Sequence, residues 1–362
     1  VEIYINDRIR TRTIKFFENF NINLKYDSLA SNFTFRYFFD PNNTEHKEFS
    51  CIGHYHIVTL KHNGETVLTG QILSSAFNDS SKKELTAVGG YSLPGVLEDC
   101  EISPPKENPN TPIVSPYQFD LLTFRQIVAQ LISPFGLSMV VDPIVRSRMD
   151  AQFEESNARA SQNIKSFICE LAAQKNIIVS HNNLGQIVFT QLSIFQKPIA
   201  TFDGSIPVTS MSLLFNGQRM HSHIKVIGQS DVDDINANES DPLRNPYVIN
   251  SVYRPRVVVQ SSKNTTLDVV QAAKNIRAQE LKGLSLVIKL DRWTINDKII
   301  RPGQIITVIN PRVYLYKKSN WVIEEVDLEG DATKYEATLR CVVPETYNGQ
   351  DPQYLFKGIN LH

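Results

Sequence analysis

Apolar residues in this chain recur at every second position near its two ends and at every third or fourth position between them. That change of period constrains the fold more than any other feature. Near the start, Ile22, Leu24 and Tyr26 alternate with polar neighbours, as do Phe33, Phe35 and Tyr37. Period two puts each set on one face of a β-sheet. The run His54 to Leu60 passes through Lys61-His62-Asn63-Gly64 into Glu65 to Ile72. Asn-Gly between two such runs predicts a hairpin, because a type I′ turn needs positive φ at both central positions. The 19 Phe and 13 Tyr fall mostly in alternating runs, which favours strands. Residues 1–97 therefore read as a twisted antiparallel barrel or sandwich.

Residues 98–118 change character, with five prolines in a short span. Proline neither donates to a ladder nor continues a helix, so this stretch reads as an extended linker and the first boundary. Helical periodicity follows over 119–196. Thr123 and Gln126 have capping-box spacing ahead of Phe124, Ile127, Val128, Leu131 and Ile132 on one face. Pro134 and Gly136 stop that helix, and Leu137 to Val141 reads as a strand. The unit recurs: Ser161 is placed as the cap of a helix with Ile164, Phe167, Ile168, Leu171 and Ala172 on its apolar side. Strands at Ile177 to Ser180 and Gln186 to Gln191 flank the turn Asn182-Asn183-Leu184-Gly185. Helix followed by strand, twice over, makes a small α/β domain.

Strands return over 197–229, ending at His221 to Gly228. Within 230–282 lie an acidic loop, a short apolar run Val257 to Val259, and a helix. Thr265 and Asp268 are its expected cap, Val270, Ala273, Ile276 and Leu281 its buried side, and Gly283 its C′ residue. Strands at Leu284 to Leu290, Gln304 to Ile309, Trp321 to Leu328 and Tyr335 to Val343 follow, and residues after Pro344 read as a loosely held tail.

Charge narrows the function classes. The 37 basic and 38 acidic residues give a formal net charge of −1, whereas a chain that grips phosphates usually has a basic surplus. No run approaches the ~20 apolar residues of a membrane-spanning helix, and VEIYINDRIR lacks the basic-then-apolar layout of a secretory signal. Cys51, Cys100, Cys169 and Cys341 form no C-x-x-C pair and read as free thiols in a reducing compartment.

Residues with chemical potential are few. His54/His56 and His221/His223 are H-x-H pairs, which a strand would present on one face as a zinc or copper site wants; no third ligand is visible, and a polar sheet face is the plainer reading. Asp231, Asp233, Asp234, Asn236 and Asn238 faintly resemble a calcium loop, but Ile235 stands at position five and Asn236 at six, where an EF-hand needs a ligand and Gly. There is no G-x-S-x-G, Cys169 sits among Phe167 and Ile168, and Gly89-Gly90 lacks the G-K-S/T of a phosphate loop. Glu154 and Glu155 are adjacent acids rather than carboxylates set across a cleft. Trp293 and Trp321 suit sugar stacking or, since Trp321 alternates with Ile323, core packing. No catalytic, cofactor or metal residue is assigned, and the chain reads as non-enzymatic.

The C-terminal block carries a resemblance. Arg301-Pro302-Gly303-Gln304-Ile305-Ile306-Thr307-Val308, Asn310-Pro311 and Trp321-Val322-Ile323-Glu324-Glu325-Val326 resemble the closing barrel of the phage late-control or baseplate tail-hub family. Upstream, Leu68-Thr69-Gly70-Gln71-Ile72, Gly90-Tyr91-Ser92-Leu93 and Leu97-Glu98-Asp99-Cys100 resemble the end of its first barrel. The block order is similar to that of the Mu-like members over nearly the whole chain; residues 231–241 have no counterpart. The resemblance implies an α+β, multidomain fold with two tube-like antiparallel β-barrels, at 1–97 and at 197–229 with 283–345. Between them it implies a small α/β domain at 119–196, with the 230–282 insertion packing on it and a tail at 346–362. It also implies a homotrimeric ring of a contractile tail that joins the tail tube protein to a central spike protein on a separate polypeptide, among other baseplate proteins. Such a subunit belongs to a phage or prophage virion assembled in the bacterial cytoplasm, has no membrane insertion, and lets DNA pass its bore without specific nucleic-acid binding. A tail-associated cell-wall hydrolase, a carbohydrate-binding β-protein and a secretion-system spike are the alternatives.

Overall fold

The computed structural model describes residues 2–6, 11–14, 17–78, 85–102, 118–153, 156–159, 161–228, 239–259, 266–331 and 333–356. Thirteen strands join in one sheet. From one end its order is Ser210–Phe215, Leu284–Leu290, Tyr335–Val342, Leu315–Asp331, Asn19–Lys25, Asn32–Tyr37, Thr86–Ser92, Glu65–Ala76, Ile57–His62, Glu2–Asn6 and Thr11–Ile14. Ile305–Asn310, with Thr201–Phe202 beyond it, pairs with the first part of Leu315–Asp331.

The predicted alternation is visible where it was read. Phe20, Ile22 and Leu24 are buried on one face, as are Phe33, Phe35 and Tyr37, and Ile22 lies opposite Phe33. Tyr26 falls just past the strand end. Asn63 and Gly64 both have positive φ, +50° and +81°, at the tip of the hairpin formed by Ile57–His62 and Glu65–Ala76. His54 and His56 precede that strand instead of belonging to it.

Two tube-like barrels were expected; the described strands join in one branched sheet whose terminal strands are Ser210–Phe215, Thr11–Ile14 and Thr201–Phe202, and no closed barrel is present among the described residues. The cause is the strand read as Trp321 to Leu328, which runs over 17 residues, Leu315–Asp331. Its first part pairs with Ile305–Asn310, and on the same side its last part pairs with Asn19–Lys25, Leu328 facing Ile22. Tyr335–Val342 takes the other side. Strands from both ends of the sequence therefore share one hydrophobic core, in which Phe20, Ile22, Phe33 and Leu60 join Leu286, Ile288, Trp293, Val326 and Leu328.

A second core belongs to the helix–strand segment. Thr123 caps Phe124–Ile132 in a capping box with Gln126, and Gly136, at φ +65°, ends the turn after it. The second helix, Ile164–Gln174, is capped by Asn163, whose Oδ1 accepts from the Ser166 N–H at 2.7 Å, and not by Ser161. Ser161 lies outside the helix at φ +61°. Strands Met139–Val141, Ile187–Thr190 and Ile178–His181 form a three-stranded sheet in that order. Phe124, Ile127, Phe167, Ile168 and Phe189 fill the space between helices and sheet, together with Leu97 and Ile102. The proline-rich segment begins inside the helix Val96–Asp99, and Ile102 is held by its N–H to the Gln162 carbonyl at 3.1 Å.

His223–Ile227, assigned from the sequence to the second β-unit, instead joins the insertion's strands Leu243–Arg244 and Pro255–Val259 in a separate three-stranded sheet. Helix Thr266–Glu280 covers them; of the expected buried set, Ala273 and Leu281 are buried, while Val270 and Ile276 are only half-buried and Val269, Arg277 and Glu280 complete the buried side. Polar Arg277 and Glu280 are buried because each is ion-paired, to Asp351 and to His221 with Arg256. The expected cap, Thr265 with Asp268, lies outside the described side chains. Gly283 is required for close approach and not for a positive-φ cap: a Cβ there would stand 3.0 Å from the Asn216 carbonyl oxygen.

The segment after Pro344 is docked up to residue 356, which corrects the reading of a loose tail. Tyr347 is buried, Tyr354 and Phe356 pack against Tyr247, and the Tyr247 hydroxyl donates to the Gln353 carbonyl at 3.0 Å.

A shared core implies shared unfolding. Leu328→Ala should cost about 2–5 kcal/mol and lower the denaturant midpoint of the Trp293 and Trp321 environments together. Two separated fluorescence transitions would show that the halves are independent.

Candidate functional site

The residues that join the sheet, the α/β segment and the docked C-terminus converge on a β-bulge. Between Ile323 and Glu325 the register against Tyr335–Val342 slips, leaving Glu324 as the extra residue. Its carbonyl accepts from the Tyr26 N–H at 2.9 Å. Its carboxylate turns inward, where Lys282 Nζ lies 2.9 Å from Oε1, the Tyr347 hydroxyl donates to Oε1 at 2.8 Å, and Arg340 Nε stands 3.5 Å from Oε2. Lys282 also pairs with Asp27 at 2.5 Å and lies over the Tyr347 ring. Burial pushes the Lys282 ammonium down, and Asp27 and Glu324 outweigh it, leaving it above its usual value. Burial, followed by Asp27 and Glu324, drives the Tyr347 phenol well up, so it stays protonated and can donate. One cluster thus ties a loop of the first strands, the bulge, the end of the long helix and the C-terminal segment.

A second junction lies beside it. His181 Nδ1 is 2.8 Å from the Ser28 carbonyl oxygen, which identifies Nδ1 as the protonated nitrogen. The Thr69 hydroxyl donates to the Asn183 carbonyl at 2.8 Å, and Asn183 Nδ2 donates to the Thr66 carbonyl at 3.0 Å. Burial is the main cause that holds the His181 imidazole below its ordinary 6.5, so it is packed neutral.

The candidate metal and catalytic residues are scattered. His54 and His56 rings lie 5.4 Å apart, with His56 Nε2 3.1 Å from the Glu48 carbonyl oxygen. His221 lies outside the strand, with its Nδ1 2.7 Å from Glu280 Oε1, while His223 Nδ1 is 3.0 Å from Ser222 Oγ. The two do not share a strand face, and no group of three His, Cys, Asp or Glu among the described residues is arranged to hold a metal. Asp231, Asp233, Asp234, Asn236 and Asn238 lie outside the described residues, as do Glu154 and Glu155. The Cys169 thiol is pushed up to about 11 by burial, and burial raises Cys341 further still. Both tryptophans are core residues: Trp293 Nε1 donates to the carbonyls of Glu329 and Glu336, and Trp321 Nε1 to Ser319 Oγ.

What the surface offers is strand edges. Ser210–Phe215 and Thr11–Ile14 end the large sheet, and neither has an outer partner among the described residues. Leu214 and Phe215 on the first are both more than half exposed. Pro255–Val259 is likewise an edge, with Val257 and Val259 exposed and Tyr253 beside it. Unpaired, apolar edges are adhesive. Alternation in the sequence marks strands but not which of them is outermost, since it does not encode pairing order.

A tail protein of prophage MuSo2 from Shewanella oneidensis, of 43 kDa, superposes with a TM-score of 0.76 at 16% identity, over 96% of this chain and 99% of that one. The chain has the fold of the phage tail proteins. A tail protein from Neisseria meningitidis MC58 gives a TM-score of 0.75 at 16% identity, covering 96% and 98%. The c3393 protein of E. coli, a type VI secretion component with structural similarity to the T4 tail proteins gp27 and gp5, gives 0.57 at 12% identity, covering 98% and 80%. No protein-family profile and no curated protein matches the sequence. Among the described residues, no helix is long and apolar enough to cross a membrane.

Two consequences follow for the junction. Lys282→Met strands two carboxylates and should destabilise the chain by about 3–5 kcal/mol, with Lys282→Met/Glu324→Gln recovering part of the loss in chemical denaturation. For His181 the folded pKa is the lower one. Its stabilisation is therefore present above the ordinary 6.5 and is lost as pH falls through the folded value. As pH falls from 6.5 towards the folded value, the wild type should lose stability more steeply than His181→Gln; parallel pH profiles would contradict this.

Proposed function

We propose that this chain is a structural subunit of a tail baseplate hub, three copies of which close into a ring between a tail tube and a central spike. The observation that carries the reading is the likeness to the Shewanella tail protein along nearly the full length of both chains. Two of the sheet's three terminal strands support it physically. An edge at Ser210–Phe215 and another at Thr11–Ile14 are different surfaces, so copies joining one to the other make a heterologous contact. Such contacts propagate until rotation closes them into a ring. Pairing satisfies the edge backbone groups and covers Leu214 and Phe215. In this reading the domains are those anticipated from the sequence: two β-units at 1–97 and at 197–229 with 283–345, the α/β unit at 119–196, and the insertion at 230–282. The subunit has no enzymatic role, and its partners are a tube protein, a spike protein and other baseplate proteins of a phage or prophage virion.

Mass photometry of the purified chain should find particles of three times 41.1 kDa, and Phe215→Asp should shift them to single copies without changing the circular dichroism spectrum. A wild type that stays monomeric at micromolar concentration would overturn the ring.

A further inference from the structure

A crevice of about 260 Å³ opens where helix Ile164–Gln174, helix Thr266–Glu280 and residues 346–352 meet. Asp27 and Tyr347 of the ion cluster form one side of it, with the Asp27 carboxylate held by Lys282. Ala172, Ala173, Lys274, Arg277, Thr346 and Gly349 are among its walls. Arg277 is 8% exposed and Thr346 4%, yet Arg277 Nε and Thr346 Oγ1 are buried with no hydrogen-bond partner. Buried polar atoms are rarely left this way. The volume is well beyond the roughly 30 Å³ share of one water.

The rest of the guanidinium shows what is missing. Nη1 donates to the Arg244 carbonyl at 3.2 Å, and Nη2 donates to one oxygen of Asp351. Nε–H and Nη2–H together form the side-on fork that fits both oxygens of a carboxylate. Asp351 fills only half of it, and its side chain is 78% exposed. The Asp351 end of the pair faces water, which competes for its carboxylate.

We propose that the crevice is a receptor for a small carboxylate, which displaces Asp351 and takes both arms of the Arg277 fork. Thr346 donates its hydroxyl to the bound group, and Lys274 adds a second positive charge to the wall. Ala172, Ala173 and Gly349 present little bulk and leave room for a few carbons beyond the carboxylate. The same chemistry is offered by a free dicarboxylate and by the carboxyl terminus of a polypeptide.

Isothermal titration of the full chain with succinate, against neutral succinamide at equal ionic strength, tests this. Succinate should saturate in the millimolar range and succinamide should not bind. Thr346→Val should weaken succinate about tenfold, the loss of one charge-assisted bond, and Asp351→Asn should tighten it by freeing the fork. Circular dichroism of Asp351→Asn checks that the fold survives the loss of a charge beside buried Arg277, and the sign of its effect on binding decides the matter even if Thr346→Val packs poorly. Titration with N-acetyl-alanyl-alanine and with its amide identifies the source: an acid peptide that binds more tightly than succinate assigns a chain terminus, and the reverse assigns a free dicarboxylate. Equal heats for succinate and succinamide, or binding that neither variant changes, would overturn the proposal and leave ordered water as the occupant.

Discussion

Every buried amide and carbonyl of a strand needs a partner, and the strand Leu315–Asp331 meets that need with three different neighbours. Its first part is paired by Ile305–Asn310, its last part by Asn19–Lys25, and its other side by Tyr335–Val342. Because one side is shared in succession, strands distant in sequence must sit in one sheet. That single constraint merges the apolar faces of the N-terminal and C-terminal strands into a common core. It also branches the sheet, leaving three terminal strands among the described residues.

The same strand explains why charge is buried at the junction. A bulge increases local twist and re-aims one side chain. Here it turns Glu324 inward, to a place where Lys282, Arg340 and Tyr347 arrive from three other segments. A buried ion cluster is weak evidence for stability as such. Its geometry is selective, though: Asp27, Lys282 and Tyr347 satisfy one another only when the first loop, the long helix and the C-terminal segment are all docked. The cluster therefore specifies how the parts meet, while the apolar core supplies most of the free energy.

Much of this was legible in the sequence, and the gaps have physical causes. Alternation at Phe33, Phe35 and Tyr37 and the Asn63-Gly64 turn are local signals, and local signals located the strands and the hairpin. The capping box at Thr123 was equally plain. Ser161 misled because Asn163, two residues later, offers the same oxygen chemistry at the true helix start. The long helix misled because its buried side carries Arg277 and Glu280, whose partners lie elsewhere in the chain. The length of Leu315–Asp331 was underestimated because Leu315 to Asn320 is mostly polar and exposed on one flank, weakening the apolar pattern. The docked C-terminus gave no periodic signal; only Tyr347, Tyr354 and Phe356 hinted at burial. The junction and the outermost edges depend on pairing order, which alternation does not encode.

Under the proposed ring, copies of this chain join through the terminal strands Thr11–Ile14 and Ser210–Phe215. Hydrogen exchange, followed by mass spectrometry on assembled and on dilute protein, tests it most directly. Assembly should slow exchange at Thr11–Ile14 and Ser210–Phe215 together, with little change in Asn19–Lys25 or Tyr335–Val342, which are already paired on both sides. Exchange at both ends that stays fast in the assembled particle would contradict it.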